Sequence, residues 1–208
     1  MGIRAKLRRV LPALWAVLVL IPAGCGGAVG DRDREAFLKL RTSLLEQGEV
    51  TLRADLRADY GDRVYACRLC YTGGAEGGLL QVEEPLELRD VSVRLAEGEA
   101  RFLLDGLQLD TGALVREASP LQAFPLQLRA WLRGSVTQCW HETLNGISCV
   151  AAEMDVGGAG EDGRYRCRVW FSRETGSPVY SEIAVDGRVC LMCSYLPAEA
   201  GTDAAPGV

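Results

Sequence analysis

The chain has 208 residues, of which 48% are hydrophobic and 25% are charged. This composition is that of a globular protein and not of a disordered one, and the length suits one domain. The first 24 positions hold four basic residues and no acidic residue, so the rest of the chain carries 19 basic and 28 acidic residues. That negative balance argues against a nucleic-acid partner, which requires a basic face.

The N-terminus has the pattern of an export signal. A basic segment at 4–9 precedes an apolar segment at 10–23, which is too short to span a bilayer. We expect residues 1–24 to be removed. The small residues before Cys25 resemble the bacterial lipobox, although Pro22 departs from that motif. We expect Cys25 to be lipidated and residues 25–30 to tether the protein to the outer face of the cell membrane; ordinary cleavage that leaves a free Cys25 thiol is the alternative.

A first helix is predicted over 31–47. Asp31 or Asp33 is a candidate N-cap, and Gly48 is placed to end the helix. The spacing of the apolar residues places them on one face, which predicts a helix that covers one side of a sheet. These residues are Phe37, Leu40 and Leu44, with Leu38 and Leu45 widening the face.

A β-hairpin follows. Residues 50–58 alternate strictly between apolar and polar, and Gly61-Asp62 is a two-residue turn signal. Pairing Tyr60 with Arg63 puts both apolar sets on the same face of the sheet. The predicted pairs are Ala58 with Tyr65, Leu56 with Cys67, Ala54 with Leu69, and Leu52 with Tyr71.

The middle of the chain predicts an antiparallel meander and then a second helix. The glycine-rich segment 72–78 lacks the residues of a phosphate-binding loop, so we interpret it as a connector. Strands are predicted at 79–83, 86–95 (with a kink at Arg89-Asp90), 100–104 and 107–109. The helix begins at Ser119-Pro120 and ends at Gly134, and Pro125 is expected to kink it or to delay its regular start. Its apolar face comprises Leu121, Phe124, Leu128, Trp131 and Leu132.

The C-terminal part predicts a second run of antiparallel strands. A hairpin of 136–143 and 147–156 turns at Asn145-Gly146, and 157–163 is a link. Three short strands fill 164–194, separated by turn signals at 174–178 and Asp186-Gly187. Trp170 falls on the arginine-rich face of the first of them. Residues 196–208 are expected to be a disordered tail.

Seven cysteines follow Cys25, and four of them form two C-x-x-C pairs, a spacing typical of zinc sites. Each pair lies in a predicted strand, where residues three apart point to opposite faces, so we expect no metal. In the last hairpin this places Cys190 opposite Ile183 and Cys193 opposite Tyr180. The cysteines are then reduced thiols acting as small hydrophobes, or an outward set (Cys70, Cys149, Cys193) forms bridges.

Motifs for catalysis are missing from the sequence. His141 is its one histidine, and the chain has no Gly-x-Ser-x-Gly, His-Glu-x-x-His or Gly-x-Gly-x-x-Gly motif. The acidic residues alternate along predicted solvent-facing strand surfaces. We therefore expect a protein that is not an enzyme and that needs no cofactor.

The stretch Trp170-Phe171-Ser172-Arg173-Glu174-Thr175-Gly176-Ser177-Pro178-Val179 resembles a hairpin of LolA-like lipoprotein carriers. The order of elements over 31–195 is also similar to that superfamily, and the layout is most similar to GerS-like germination lipoproteins of spore-forming bacteria. The resemblance implies a mainly β (α+β) fold, with a strongly curved antiparallel half-barrel sheet whose concave side is covered by helices. It also implies an apolar cavity between sheet and helices.

Two functions follow from this resemblance. The first is an anchored binding scaffold that holds a lipid-like ligand, and the second is a module that binds and regulates a cell-envelope enzyme such as a cell-wall amidase. Outward aromatics, Trp140, Trp170 and Tyr180, would form the interface of the second. The cavity of the first would be lined by Leu52, Leu56, Tyr65, Leu69, Phe124, Trp131, Val169 and Phe171.

Overall fold

The structure, a computed structural model, describes residues 27–96, 99–104, 107–113, 120–156 and 165–197. The predicted signal segment, Cys25, the link at 157–163 and the tail from 198 onward lie outside these ranges. The helices are α1 (Gly27–Gln47) and α2 (Ala123–Arg133). The strands are β1 (Val50–Asp59), β2 (Val64–Gly74), β3 (Gly77–Glu84), β4 (Val91–Ala96), β5 (Glu99–Leu104), β6 (Leu107–Ala113), β7 (Ser135–Leu144), β8 (Ile147–Val156), β9 (Tyr165–Ser172), β10 (Pro178–Val185) and β11 (Arg188–Tyr195).

The strands form one antiparallel sheet in the order β6-β5-β4-β3-β2-β1-β11-β10-β9-β8-β7. Two meanders are therefore joined where β1 pairs with β11, and β6 and β7 form the opposite edges. The chain must cross one face of the sheet to pass from β6 to β7, and α2 lies in that crossing. The result is a mainly β, curved and open half-barrel with two helices on its concave side, which confirms the predicted fold class.

The hairpins adopt the registers that their turns and alternation predict. All four expected pairs between β1 and β2 are present, and the Tyr60 amide donates to the Arg63 carbonyl at 2.9 Å. In the β7–β8 hairpin, Asn145 and Gly146 both have positive φ, 51° and 83°, as a type I′ turn requires. Turn chemistry and the period of two therefore agree in both hairpins.

Two strand predictions are wrong in detail. Residues Leu86–Leu88 form a short 3₁₀ helix, and β4 begins only at Val91. The reason is Pro85, which cannot donate to the ladder and ends β3. In the last hairpin Ile183 pairs with Leu191 instead of Cys190, which becomes the extra residue of a β-bulge.

Helix α1 differs from its prediction in where it begins and in how many of its leucines are buried. It begins at Gly27, so the predicted tether at 25–30 is partly helical, and Asp31 and Asp33 lie inside the helix and do not cap it. Phe37 is buried as expected, whereas Leu38 and Leu45 are 40% and 53% exposed. The buried stripe is thus narrower than the sequence suggested.

The core lies between the concave face and the two helices. On α2, Phe124, Leu128 and Trp131 are fully buried. The Phe124 ring stacks on Tyr71 of β2 at 5.8 Å between centroids, and Trp131 meets Phe171 of β9 edge-on at 5.2 Å. Burying each such side chain contributes about 1.5–3 kcal/mol, so α2 is a main source of stability.

A polar clamp joins the two helices. Arg41 on α1 donates to the Trp131 and Gly134 carbonyls at 2.7 and 3.0 Å, and its guanidinium lies 5.2 Å from the Phe37 ring. These carbonyls belong to the C-terminal end of α2, where helix geometry leaves acceptors unpaired. Burial lowers the pKa of Arg41 from its ordinary value. Arg41 therefore caps α2 from the neighbouring helix.

An ion pair fixes α1 to the β9–β10 turn. Asp33 is almost fully buried, and its Oδ1 accepts from Arg173 Nη1 at 3.4 Å. Its Oδ2 is buried and has no hydrogen-bond partner among the described residues. Arg173 is about half exposed. Among the described residues, the half-exposed Arg173 is thus the cation that pairs with this buried carboxyl group.

We predict that Arg173→Ala costs more stability than Asp33→Ala. The first variant leaves a buried carboxylate unpaired, which costs about 1–3 kcal/mol, whereas the second leaves an arginine that can turn into water. Urea unfolding followed by circular dichroism measures both free energies of unfolding. Glu35→Ala, which breaks the exposed Glu35–Lys39 pair, is the control and should change little. A larger loss for Asp33→Ala would contradict this account.

Candidate functional site

The predicted cavity residues form a packed core with one exception. Seven of the eight are buried in a single cluster: Leu52, Leu56, Leu69, Phe124, Trp131, Val169 and Phe171. Tyr65, near the start of β2, is 46% exposed and meets the Tyr60 ring edge-on at 6.1 Å. The side chains of α2 thus occupy the concave space next to these residues.

A buried polar network fixes α2 over the sheet. The Tyr195 hydroxyl donates to Gln127 Oε1, and Gln127 Nε2 donates to Cys193 Sγ at 3.3 Å. Ser181 Oγ lies 3.1 Å from the Tyr195 hydroxyl. Burial raises the pKa of Tyr195 well above its ordinary value and that of the Cys193 thiol to about 12, so both groups stay protonated. The network therefore binds α2 to β10 and β11 without charge.

An open cleft of about 530 Å³ lies where both helices end. Leu44 and Leu45 of α1 and Leu132 of α2 supply its apolar wall, and residues 72–78 at the tip of the β2–β3 hairpin also line it. None of the eight predicted cavity residues lines it. Its volume falls in the range of about 300–1,000 Å³ that is usual for small-molecule sites.

Glycines bring the two strands of this hairpin close to Tyr71. Gly73 and Gly78 are paired across the hairpin, and a Cβ on Gly78 would lie 2.3 Å from the Thr72 carbonyl oxygen and 2.9 Å from Tyr71 Cζ. The Tyr71 hydroxyl donates to the Gly74 carbonyl at 2.7 Å. Burial, with a smaller effect of the Glu49 carboxylate, raises the Tyr71 pKa to about 12. The segment interpreted as a connector is thus a wall of the cleft, and its run of glycines was the available signal.

The charged residues of the cleft are Glu49, Glu76 and Arg133. Arg133 Nη1 contacts Glu76 Oε1 at 2.7 Å, so these two charges offset each other. Glu49 follows the C-terminus of α1. The cleft therefore combines leucine side chains and hairpin backbone with a net negative rim.

The predicted interface residues come together on the outward face of the sheet. Trp140, Trp170 and Tyr180 lie on β7, β9 and β10, and we call them the aromatic patch. The Trp140 and Trp170 rings are 6.0 Å apart and nearly perpendicular, and Trp170 and Tyr180 are 5.4 Å apart. Trp170 keeps the predicted outward direction but is only 8% exposed, because its neighbours cover it.

Glu142 holds the two indoles of the patch. Its Oε2 accepts from Trp140 Nε1 and from Trp170 Nε1, each at 2.9 Å. These two hydrogen bonds, first Trp140 and then Trp170, lower the pKa of Glu142 from its ordinary value of 4.5. Sequence alternation placed Glu142 on a solvent-facing strand but gave no sign of this role.

The seven described cysteines after Cys25 carry free thiols. Cys193 does not face outward as predicted: the bulge at Cys190 pairs it with Ser181, and it lies fully buried in the core. Burial raises the pKa of the Cys167 thiol to about 12 as well, so both are poor nucleophiles. Among the described residues, no three side chains of metal-ligating type converge on one point.

His141 is exposed, and its Nε2 lies 3.0 Å from Ser148 Oγ. This surface contact joins the two strands of the β7–β8 hairpin and brings neither residue to the cleft. In the part of the chain that the structure describes, no helix has the length and apolar character to cross a membrane.

Comparison with known proteins identifies the fold. No protein-family model and no curated protein matches the chain in sequence. A solved outer membrane lipoprotein-sorting protein domain from Vibrio parahaemolyticus is similar with a TM-score of 0.50 at 10% identity, over 82% of this chain and 81% of that chain. The chain therefore shares the fold of this domain, which is the LolA-like fold that the sequence resemblance predicted.

Two further structures are more distant. A LolA superfamily protein from Nitrosomonas europaea has a TM-score of 0.42 at 12% identity, over 76% of this chain and 74% of that one. The complex of the CwlD amidase with the GerS lipoprotein from Clostridioides difficile contains a chain with a TM-score of 0.38 at 14% identity, over 81% and 95%. At these scores neither match carries an argument.

We predict that Glu142 stabilises the fold only at pH values where it is charged. Because its folded-state pKa is depressed, this contribution is present above the unfolded value and is lost as pH falls through the folded one. Glu142→Gln should lower the urea midpoint at pH 7, and the gap to the unchanged protein should narrow at pH 3. Trp140→Phe, which removes one donor, should show an intermediate gap. A gap of the same size at both pH values would contradict the prediction.

Proposed function

We propose that this protein is an exported lipoprotein, anchored to the outer face of the cell membrane, whose half-barrel scaffold binds an apolar, lipid-like ligand without catalysis. The observation that carries the proposal is the cleft at the ends of α1 and α2, with its leucine wall and glycine-rich backbone. An open space of that size beside a large core suits a binding site. The fold supports the scaffold role.

The anchor of this proposal is Cys25. Helix α1 begins at Gly27, two residues later. A lipidated Cys25 would thus place the N-terminal end of α1 next to the membrane. The cleft is lined by the other end of α1, and Gly27 and Leu45 are separated by roughly 27 Å of helix at 1.5 Å per residue. The cleft would then open well away from the anchored end.

The ligand of this proposal lies beside the core that the sequence identified. Tyr71 connects the two regions, because its ring stacks on Phe124 and its hydroxyl reaches the Gly74 carbonyl. The eight residues first assigned to the cavity would act as packed support, apart from the exposed Tyr65. Direct contacts with the ligand would come from Leu44, Leu45 and Leu132.

The cleft can be tested with two exposed leucines of α1. Leu45 lines the cleft and Leu38 does not, although both are largely solvent-exposed. Leu45→Gln should weaken binding of Nile red, a neutral apolar dye, by about 1 kcal/mol or roughly fivefold, because it removes apolar contact area. Leu38→Gln should leave the dissociation constant unchanged.

This measurement uses the mature protein purified from membranes, and its mass also reports whether Cys25 carries a lipid. A dye that does not bind, or one that loses affinity equally in both variants, would contradict the cleft as the ligand site. An unmodified Cys25 in a chain recovered from the soluble fraction would contradict the anchor.

The second candidate function is a partner-binding module that regulates or positions a cell-envelope enzyme, such as a cell-wall amidase in spore germination. The observation in its favour is the aromatic patch, which joins three strands next to the sheet edge β7. Tryptophan and tyrosine are enriched at the centres of protein interfaces. Glu142 holds the indoles in fixed positions, which reduces the entropy lost on binding.

We predict that Trp140→Ala removes a partner that the unchanged protein captures from cross-linked membranes. A tryptophan at the centre of an interface contributes about 2 kcal/mol or more, so binding should weaken roughly thirtyfold. Tyr65→Ala removes an exposed aromatic elsewhere and is the control. Capture of the same proteins by both variants, or of none by the unchanged protein, would argue against this function.

A further inference from the structure

We infer that the cleft selects its ligand by charge: it accepts an alkyl chain that carries a cationic amine headgroup and disfavours the matching anion. This inference rests on the proposed ligand-binding function and adds the headgroup class to it. It concerns the surroundings of the cleft rather than its volume. Three features of the described residues support it.

The first feature is the direction of the two helices. Leu44 and Leu45 lie in the last turn of α1, and Leu132 and Arg133 lie at the end of α2, so both helices present their C-terminal ends to the cleft. The carbonyl groups at a helix C-terminus carry a partial negative charge. Such an end favours a nearby cation and opposes an anion unless basic side chains neutralise it.

The second feature is that basic side chains offset the partial negative charge at the C-terminal end of α2 but not at that of α1. Arg41 donates to two carbonyls at the end of α2. Helix α1 has no basic residue in its last turn, and Glu46 lies there instead, with Glu49 just beyond. Acidic side chains are unfavourable at a helix C-terminus. The Gly48 and Glu49 amides donate to the Leu44 and Gln47 carbonyls, but no basic side chain of the helix offsets the charge of this end. The end of α1 is therefore an electronegative position that a bound cation would stabilise.

The third feature is the balance of charges on the cleft itself. Its acidic side chains are Glu49 and Glu76, and its basic side chain is Arg133. Because Arg133 pairs with Glu76 at 2.7 Å, Glu49 remains as the charge that a headgroup would meet. The leucine wall accounts for the alkyl chain and the rim accounts for the amine, so the site fits a cationic single-chain amphiphile.

The test compares three probes of equal chain length, each below its micelle concentration: decyltrimethylammonium, 1-decanol and decanoate. Isothermal titration with the full mature protein should rank their affinities in that order. The cation should bind roughly five- to tenfold more tightly than the anion, since partly exposed charges contribute modestly. Equal or tighter binding of decanoate would overturn the inference while leaving the apolar site intact. Binding of none of the three would overturn the proposed ligand-binding function as well.

Two variants separate the cleft from the net charge of the protein. Glu49→Gln should weaken decyltrimethylammonium binding roughly two- to fivefold and strengthen decanoate binding, with 1-decanol unchanged. Glu46→Gln makes the same charge change in the last turn of α1, three residues before Glu49 and outside the cleft lining, so its effect should be clearly smaller. Equal effects of the two variants would show a general charge effect and overturn the inference.

A third variant, Glu76→Gln, tests the basic residue of the rim with the anionic probe. It leaves Arg133 without the acidic partner that it contacts in the cleft, so decanoate affinity should rise by roughly two- to fivefold. Both residues of the pair are largely exposed, so the fold should tolerate the change. An unchanged or weaker affinity for decanoate in this variant would contradict the role assigned to the Glu76–Arg133 pair.

Discussion

The crossing of the concave face by the chain between β6 and β7 determines most of the structure. These two strands are the opposite edges of the sheet, so the segment between them has to span its inner side. A segment in that position must be apolar toward the sheet, and α2 meets this need with Phe124, Leu128 and Trp131. The same contacts fill the space that a half-barrel would otherwise leave for a ligand.

The cleft lies where the helices no longer cover the concave face of the sheet. Helices α1 and α2 both finish at the same end of the sheet, and beyond them the β2–β3 hairpin continues with glycines. The small residues of the hairpin leave this volume open, and the Tyr71 hydroxyl holds the hairpin by donating to the Gly74 carbonyl. The open space and its negative rim therefore have one origin, the common end point of two helices.

The sequence predicted most of the sheet because local signals agreed there. Alternation and turn residues specified the β1–β2 and β7–β8 registers pair by pair. They failed where one residue broke the period. No turn-type residue in the sequence indicates the bulge at Cys190, and this bulge moves Cys193 from the outward face into the core. The early start of α1 at Gly27 was hidden because glycine is a poor helix former.

The two candidate sites differ in how much of each could be predicted from the sequence. The alternation of apolar and polar residues placed Trp140, Trp170 and Tyr180 on the outward face, because the alternation within one strand is enough to assign each residue to a face of the sheet. Their contact with one another depends on the pairing of β7, β8, β9 and β10, which no single strand encodes. The cleft depends on still more distant parts, because α1, α2 and a hairpin meet there. A site built from element ends leaves no periodic pattern, so only its glycine run and the acidic end of α1 could have indicated it.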